Sequence, residues 1–199
     1  MLRPFPRLTH PIVQAPMAGG PSTPLLAATV SNAGGLGFLA AGYRTAAELR
    51  AEIATVREQT AAQFGVNLFL LDETPVDSGA LSRYAQALRR GEGDGPGTLG
   101  TPRFDDDALD AKLGVVFAER PEIVSFTFGC PPGELVARLH ERGISVWITV
   151  TEPEEALAAA AVGADAVIAQ GVEAGGHRGS FSDLDGHGEL SLIPLLRLT

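Results

Sequence analysis

Short apolar runs alternate with longer amphipathic stretches along most of this chain. Runs of four to six apolar or β-branched residues suit strands buried on both faces, as in a parallel sheet. The candidates are residues 12–16, 37–40, 65–70, 123–128, 145–149 and 166–170. Helical periodicity fills the intervals. Ser22 or Thr23 can cap a helix with Pro24 in its first turn, and Gly34 or Gly35 can end it. Thr45-Ala-Ala-Glu48 reads as a capping box opening a helix to about residue 60, and Thr151-Glu-Pro-Glu154 as another. Further helices are expected near residues 76–90, 105–119, 132–142 (closed by Gly143) and 194–198. Ala156 to Ala161 is a good helix former and carries no functional signal.

In the stretch 91–97, six of seven residues are Gly, Pro or Asp, which predicts a flexible excursion over about 91–104 within a single domain spanning 1–199. Six βα-type units in a row favour a (β/α)8 barrel over an open sheet. The pattern halts two strands short of eight, so the expectation is α/β with an incomplete TIM-type barrel of about six units. Such an arc would expose strand edges at residues 12–16 and 166–170.

Composition narrows the class. Of 199 residues 45% are apolar and 20% charged, in the range of globular domains. The net charge of −9 argues against nucleic acid or an anionic membrane as partner, since both call for a basic face. No run approaches a membrane span and the N-terminus lacks a basic head followed by an apolar core, which predicts a cytoplasmic protein. The single cysteine, Cys130, excludes an intramolecular disulfide and a cysteine-rich metal site, and reads as a reduced bystander thiol.

The strongest chemical signal follows the last candidate strand. Residues 171–179 hold four glycines, one imidazole (His177) and one guanidinium (Arg178). Glycines let the backbone approach a flat or charged ligand and adopt positive φ. A histidine at the mouth of a strand suits proton transfer near neutral pH, and loops after parallel strands are where such folds keep their sites. The plain reading is a glycine-rich surface loop that holds a basic pair. His10, His140 and His187 read as structural or exposed.

Five ordered segments resemble one family: Gln14-Ala-Pro-Met-Ala-Gly-Gly20, Ser31-Asn-Ala-Gly-Gly-Leu-Gly-Phe-Leu39, Gly65-Val-Asn-Leu-Phe69, Val124-Ser-Phe-Thr-Phe-Gly129 and Glu173-Ala-Gly-Gly-His-Arg-Gly179. Together they resemble the nitronate monooxygenases, FMN-dependent TIM-barrel enzymes formerly called 2-nitropropane dioxygenases, in their bacterial class. The flavin-dependent enoyl-acyl-carrier-protein reductases share the Glu-Ala-Gly-Gly-His element and the scaffold.

The resemblance implies oxidation of alkyl nitronates or nitroalkanes to a carbonyl compound and nitrite, with molecular oxygen as co-substrate and a homo-oligomer as one possible assembly. It makes His177 the catalytic base. It implies FMN contacts from Asn67, Gln170, Gly175 and Gly176, and from the backbone around Ala15, Pro16 and Met17. Each has a structural competitor: Asn67 could cap a strand end, Gln170 could satisfy a loop carbonyl, and Met17 could fill core. Arg178 could pair with Glu173 or Asp183 instead of meeting substrate. In the family two further strands follow the equivalent of Thr199, and their loops hold the FMN phosphate. The expectation is therefore a C-terminally truncated member, with an inactive scaffold as the alternative to an enzyme.

Overall fold

Five parallel strands lie side by side in the order in which they occur along the chain: β1 (Gly37–Ala40), β2 (Phe64–Phe69), β3 (Ile123–Thr127), β4 (Ser145–Val150) and β5 (Ala166–Ala169). The computed structural model describes residues 5–71, 77–90, 100–182 and 188–199. Between and around the strands run α1 (Pro24–Asn32), α2 (Ala46–Gln59), α3 (Ser78–Arg90), α4 (Leu109–Glu119), α5 (Gly133–Glu141), α6 (Pro153–Ala161) and α7 (Leu192–Leu198). A doubly wound sheet reverses direction at a switch point, whereas sequential order with helical crossovers is the winding of a (β/α)8 barrel. The molecule is an arc of such a barrel.

Alternation along the strands separates two cores. Leu39, Val66, Leu68, Val124, Phe126, Val146, Ile148 and Val150 point to the helices and join Ile53, Val56 and Val116 in the main cluster. Phe38, Ile123 and Trp147 point the other way, with Leu36, Ala166 and Ile168 around them. Phe5 stacks on Trp147 at 5.1 Å between ring centroids and closes this inner face at the N-terminal ends of the strands. Gly65 is required here, because a Cβ would run into the Phe38 ring.

The expected first strand, residues 12–16, forms only an isolated parallel bridge, Val13 to Leu36. Gln14 N donates to Leu36 O at 2.9 Å, Leu36 N to Ile12 O at 2.9 Å and, further back, His10 N to Gly34 O at 3.0 Å, without forming a ladder. Pro11 and Pro16 bracket the segment, and neither has an N–H to extend a ladder. The Gln14 side chain continues in place of backbone, its Oε1 accepting from Phe38 N at 3.0 Å.

The capping expectations divide. Thr23 caps α1 by accepting from Leu26 N, and Thr45 with Glu48 forms the full box on α2. At α6 the box does not form between Thr151 and Glu154. Pro153 fixes the first helical position, so the N-cap is Glu152 and the third turn position is Glu155. Glu155 then accepts from Thr151 N at 2.6 Å and Thr151 Oγ1 at 2.9 Å.

α4 starts at Leu109, later than expected, because Asp107 and Ala108 are left-handed. Of the excursion, residues 91–99 lie outside the described residues, as do Val76, Asp183 and His187; residues 100–104 are exposed coil. No described helix is long and apolar enough to cross a membrane.

Candidate active site

Toward the C-terminal ends of β2, β3 and β4 the inner face carries polar side chains, Asn67, Ser125, Thr127 and Thr149, with Phe69 beyond Asn67. On β2, Asn67 is only 3% exposed. Its Nδ2 donates to Ser125 Oγ at 2.9 Å, Ser125 O at 3.3 Å and Thr127 Oγ1 at 3.0 Å. A backbone carbonyl only accepts, so the amide nitrogen must face β3. The amide oxygen then points away and accepts no hydrogen bond among the described residues. Thr127 Oγ1 continues to Thr149 Oγ1 at 3.2 Å, carrying the polar ladder across three strands.

Gln170 follows β5 and organises the glycine loop. Its Nε2 donates to His177 O at 3.0 Å, and its Oε1 accepts from Gly179 N at 2.7 Å. The two backbone groups fix which end of the amide is which. Both ends serve the loop, which is the carbonyl-satisfying role rather than a free amide. Gly179 lies against Thr149, where a Cβ would sit 2.8 Å from the Thr149 methyl.

Arg178 turns back under the same loop: Nη1 donates to Gly171 O at 2.7 Å and Gln170 O at 2.9 Å. Its hydrogen bonds go to these backbone carbonyls and to Gln170 Oε1 at 3.4 Å, not to the Glu173 carboxylate; Asp183 lies outside the described residues. Glu155 supports the far side of the loop by accepting from Phe181 N at 2.6 Å.

His177 stands exposed at the crest of this loop. Tyr43, in the turn after β1, brings its hydroxyl to 3.3 Å from His177 Nε2, the ring's one hydrogen bond among the described residues. Phe128, just past β3, faces the imidazole edge-on at 6.0 Å, and Phe69 at the end of β2 packs on both Phe128 and Tyr43. Gly42 leaves room for that contact, since a Cβ there would meet the Phe69 ring. Tyr43 and Phe128 both have left-handed backbone, with φ of 64° and 77°. Such conformations are sparsely populated for bulky residues and gather at functional sites.

Gly175 and Gly176 are exposed, with open space where a Cβ would be, and Gly176 has φ of 81°. Ala15 and Met17 are exposed and Pro16 half-buried, so Met17 is not core. Their loop is tied down by Ser22, whose Oγ accepts from Met17 N at 2.8 Å and Gln14 Nε2 at 2.9 Å. The geometry thus joins Gln170 to His177 directly and Asn67 to the loop through the threonine ladder, while residues 15–17 belong to the Ser22 network.

Glu173 sits at the start of α7, its carboxylate accepting from Leu192 N at 2.9 and 3.1 Å. Hydrogen bonds from its own N–H and from Leu192 N hold its pKa below the ordinary carboxylate value, with Arg178 assisting. Burial raises the pKa of the half-buried Cys130 thiol. His140 makes a 2.8 Å contact with Asp165 beside the N-terminal end of β4. His10 is exposed.

Tyr43, Phe69, Phe128 and Ser22 were not candidates from sequence. The available signal was an aromatic residue in the turn after a strand, Tyr43 three residues past β1 and Phe128 directly after β3, where a plain turn would carry Gly or Asn.

The sequence profile described as nitronate monooxygenase matches residues 6–198. The chain belongs to that family. The nitronate monooxygenase of Pseudomonas aeruginosa is 42% identical over 198 residues, which span 96% of this chain and 55% of that protein. That of Paraburkholderia phytofirmans is 39% identical over 201 residues, with 99% and 55% covered. Among solved structures, nitroalkane oxidase from Streptomyces ansochromogenes superposes with a TM-score of 0.84 at 46% identity, over 96% of this chain and 55% of that one. FabK from Thermotoga maritima gives 0.67 at 29% identity, over 96% and 49%. The chain spans about half the length of the curated relatives it matches.

Proposed function

We propose that this chain carries the base and the flavin-facing surface of an FMN-dependent nitronate monooxygenase. The observation that carries the reading is His177: an exposed imidazole on a glycine loop whose backbone is held on both sides by Gln170, at the C-terminal end of a barrel arc. Membership of the family supports the same chemistry.

The described residues fit the ring of a flavin. Asn67 offers an unengaged amide oxygen for a ring N–H, and the open glycines 175 and 176 leave room for a flat face. The loop of exposed Ala15 and Met17 with half-buried Pro16 would supply a second edge. The phosphate is a different matter: the start of α7 already receives the Glu173 carboxylate.

His177 would take the proton from the carbon bearing the nitro group, or hold an anionic nitronate in place by its own charge. FMN, when bound, supplies the oxidative chemistry with molecular oxygen, giving a carbonyl compound and nitrite. Phe128, Phe69 and the Tyr43 ring wall the imidazole with apolar surface, suited to a short alkyl chain. Gln170 serves by fixing His177 and Gly179, and Gly175 and Gly176 by clearance. The substrate class, the cytoplasmic location and a homo-oligomeric assembly are parts of the same proposal.

The test is the absorbance spectrum of the 199-residue chain after incubation with FMN and desalting. A retained and perturbed flavin band, with nitrite released from nitronate, supports the reading; a colourless protein with no nitrite refutes it for this chain. The superposition on FabK favours one second reading, reduction of an enoyl thioester with a reduced nicotinamide. Loss of NADH absorbance that depends on crotonyl thioester would select it.

A further inference from the structure

An ion pair between a buried lysine and a partly buried aspartate lies behind the tyrosine that faces His177. Lys112 on α4 is 1% exposed, and its Nζ meets Asp107 Oδ2 at 2.6 Å. Asp107 Oδ1 accepts from Tyr43 N at 3.0 Å, pinning the turn after β1. The turn before α4 is itself fixed, with Asp107 N donating to Asp105 Oδ1 at 2.9 Å and Ala108 N to Asp106 Oδ1 at 3.0 Å. Tyr43, Asp107 and Ala108 are all left-handed, with φ of 64°, 56° and 52°. Three such non-glycine residues in one contact chain need a surrounding structure that over-determines them. What the arrangement delivers is the Tyr43 hydroxyl, 3.3 Å from His177 Nε2.

We propose that Tyr43 is a positioning residue for His177, held in place by the Asp107–Lys112 pair. Resting on the reading of His177 as the base, the proposal adds what fixes that base. An exposed imidazole otherwise turns about its Cβ–Cγ bond and exchanges between two tautomers. A partner at one ring nitrogen sets which nitrogen carries the proton and where the other points. Tyr43 is 64% exposed, so its side chain is not retained for burial. The T-shaped contact with Phe69, 5.6 Å between centroids at 78°, orients the ring and aims the hydroxyl.

The experiment is a long-range proton–nitrogen NMR spectrum of the histidine rings in the full chain, which needs no flavin. In the wild type, His177 is expected to give ring nitrogen shifts of one dominant tautomer, distinct from those of exposed His10. Tyr43→Phe keeps the ring on Phe69 and removes only the hydroxyl; it should move His177 to the averaged values of His10 while His140 stays unchanged. The double variant Asp107→Ala/Lys112→Met removes the anchor without leaving a lone buried charge, and should move His177 in the same direction. His177 shifts already equal to those of His10, or unmoved by Tyr43→Phe, would overturn the proposal. A shift in Tyr43→Phe but not in the double variant would retain Tyr43 and remove the ion pair from it. If the tether holds while His177→Ala retains nitroalkane turnover, it is the base assignment that fails.

Discussion

At the scale of single residues, the site depends on which atoms are already engaged. His177 has one ring nitrogen near Tyr43 and its carbonyl bound by Gln170, so its backbone, and not its imidazole, holds the loop. In a flavin-loaded chain, His177→Ala should leave the flavin band intact and lower nitroalkane turnover by roughly 10²- to 10⁴-fold, the usual contribution of a positioned base. Turnover of preformed nitronate should fall far less, and comparing the two substrates by nitrite release checks this. Gln170→Glu tests the loop differently. A carboxylate can accept from Gly179 N but cannot donate to His177 O, so it should cost about 1 kcal/mol of stability in urea unfolding. Gly65→Ala would force its methyl into the Phe38 ring and should cost about 1–3 kcal/mol by the same measurement.

At the scale of elements, helix starts carry the pH dependence. Glu48 closes the capping box on α2, and hydrogen bonds from Thr45 N and Oγ1 hold its pKa below the ordinary glutamate value. A group whose folded pKa is depressed adds stability above its unfolded pKa of about 4.3 and loses it as pH falls through the lower folded value. Glu173 at α7 has the same sign. The melting-temperature advantage of wild type over Glu48→Gln should therefore shrink as pH drops from about 5.5 to about 3.5. The ion pair of Asp107, just before α4, with buried Lys112 on α4 obeys another rule. Asp107→Ala strands the Lys112 ammonium and should cost about 3–5 kcal/mol, whereas adding Lys112→Met should recover much of that loss in thermal unfolding.

At the scale of the whole molecule, most of the architecture was legible and the contacts across it were not. The alternation of short buried runs with capped helices is local, so the strands and the sequential barrel winding could be read from it. The glycine loop at 171–179 was legible as a loop for the same reason, since four glycines in nine residues after a strand are a local signal. The segment at 12–16 has a strand's composition, but its flanking prolines limit it to a bridge. At α6 the expected box on Thr151 does not form, because Pro153 at the first helical position makes Glu152 the N-cap, and Thr151 instead donates to Glu155 from one residue further out.

What the sequence determined by itself was the order and kind of the elements, and the loop that carries His177, because these depend on neighbours within one or two turns. Tertiary structure decided who meets that histidine. Tyr43 lies 134 residues away along the chain, and Asp107 reaches Tyr43 across 64. Those separations close only when consecutive parallel strands bring their C-terminal ends together. A left-handed tyrosine then becomes tolerable, because packing on Phe69 and the hydrogen bond to Asp107 hold it there.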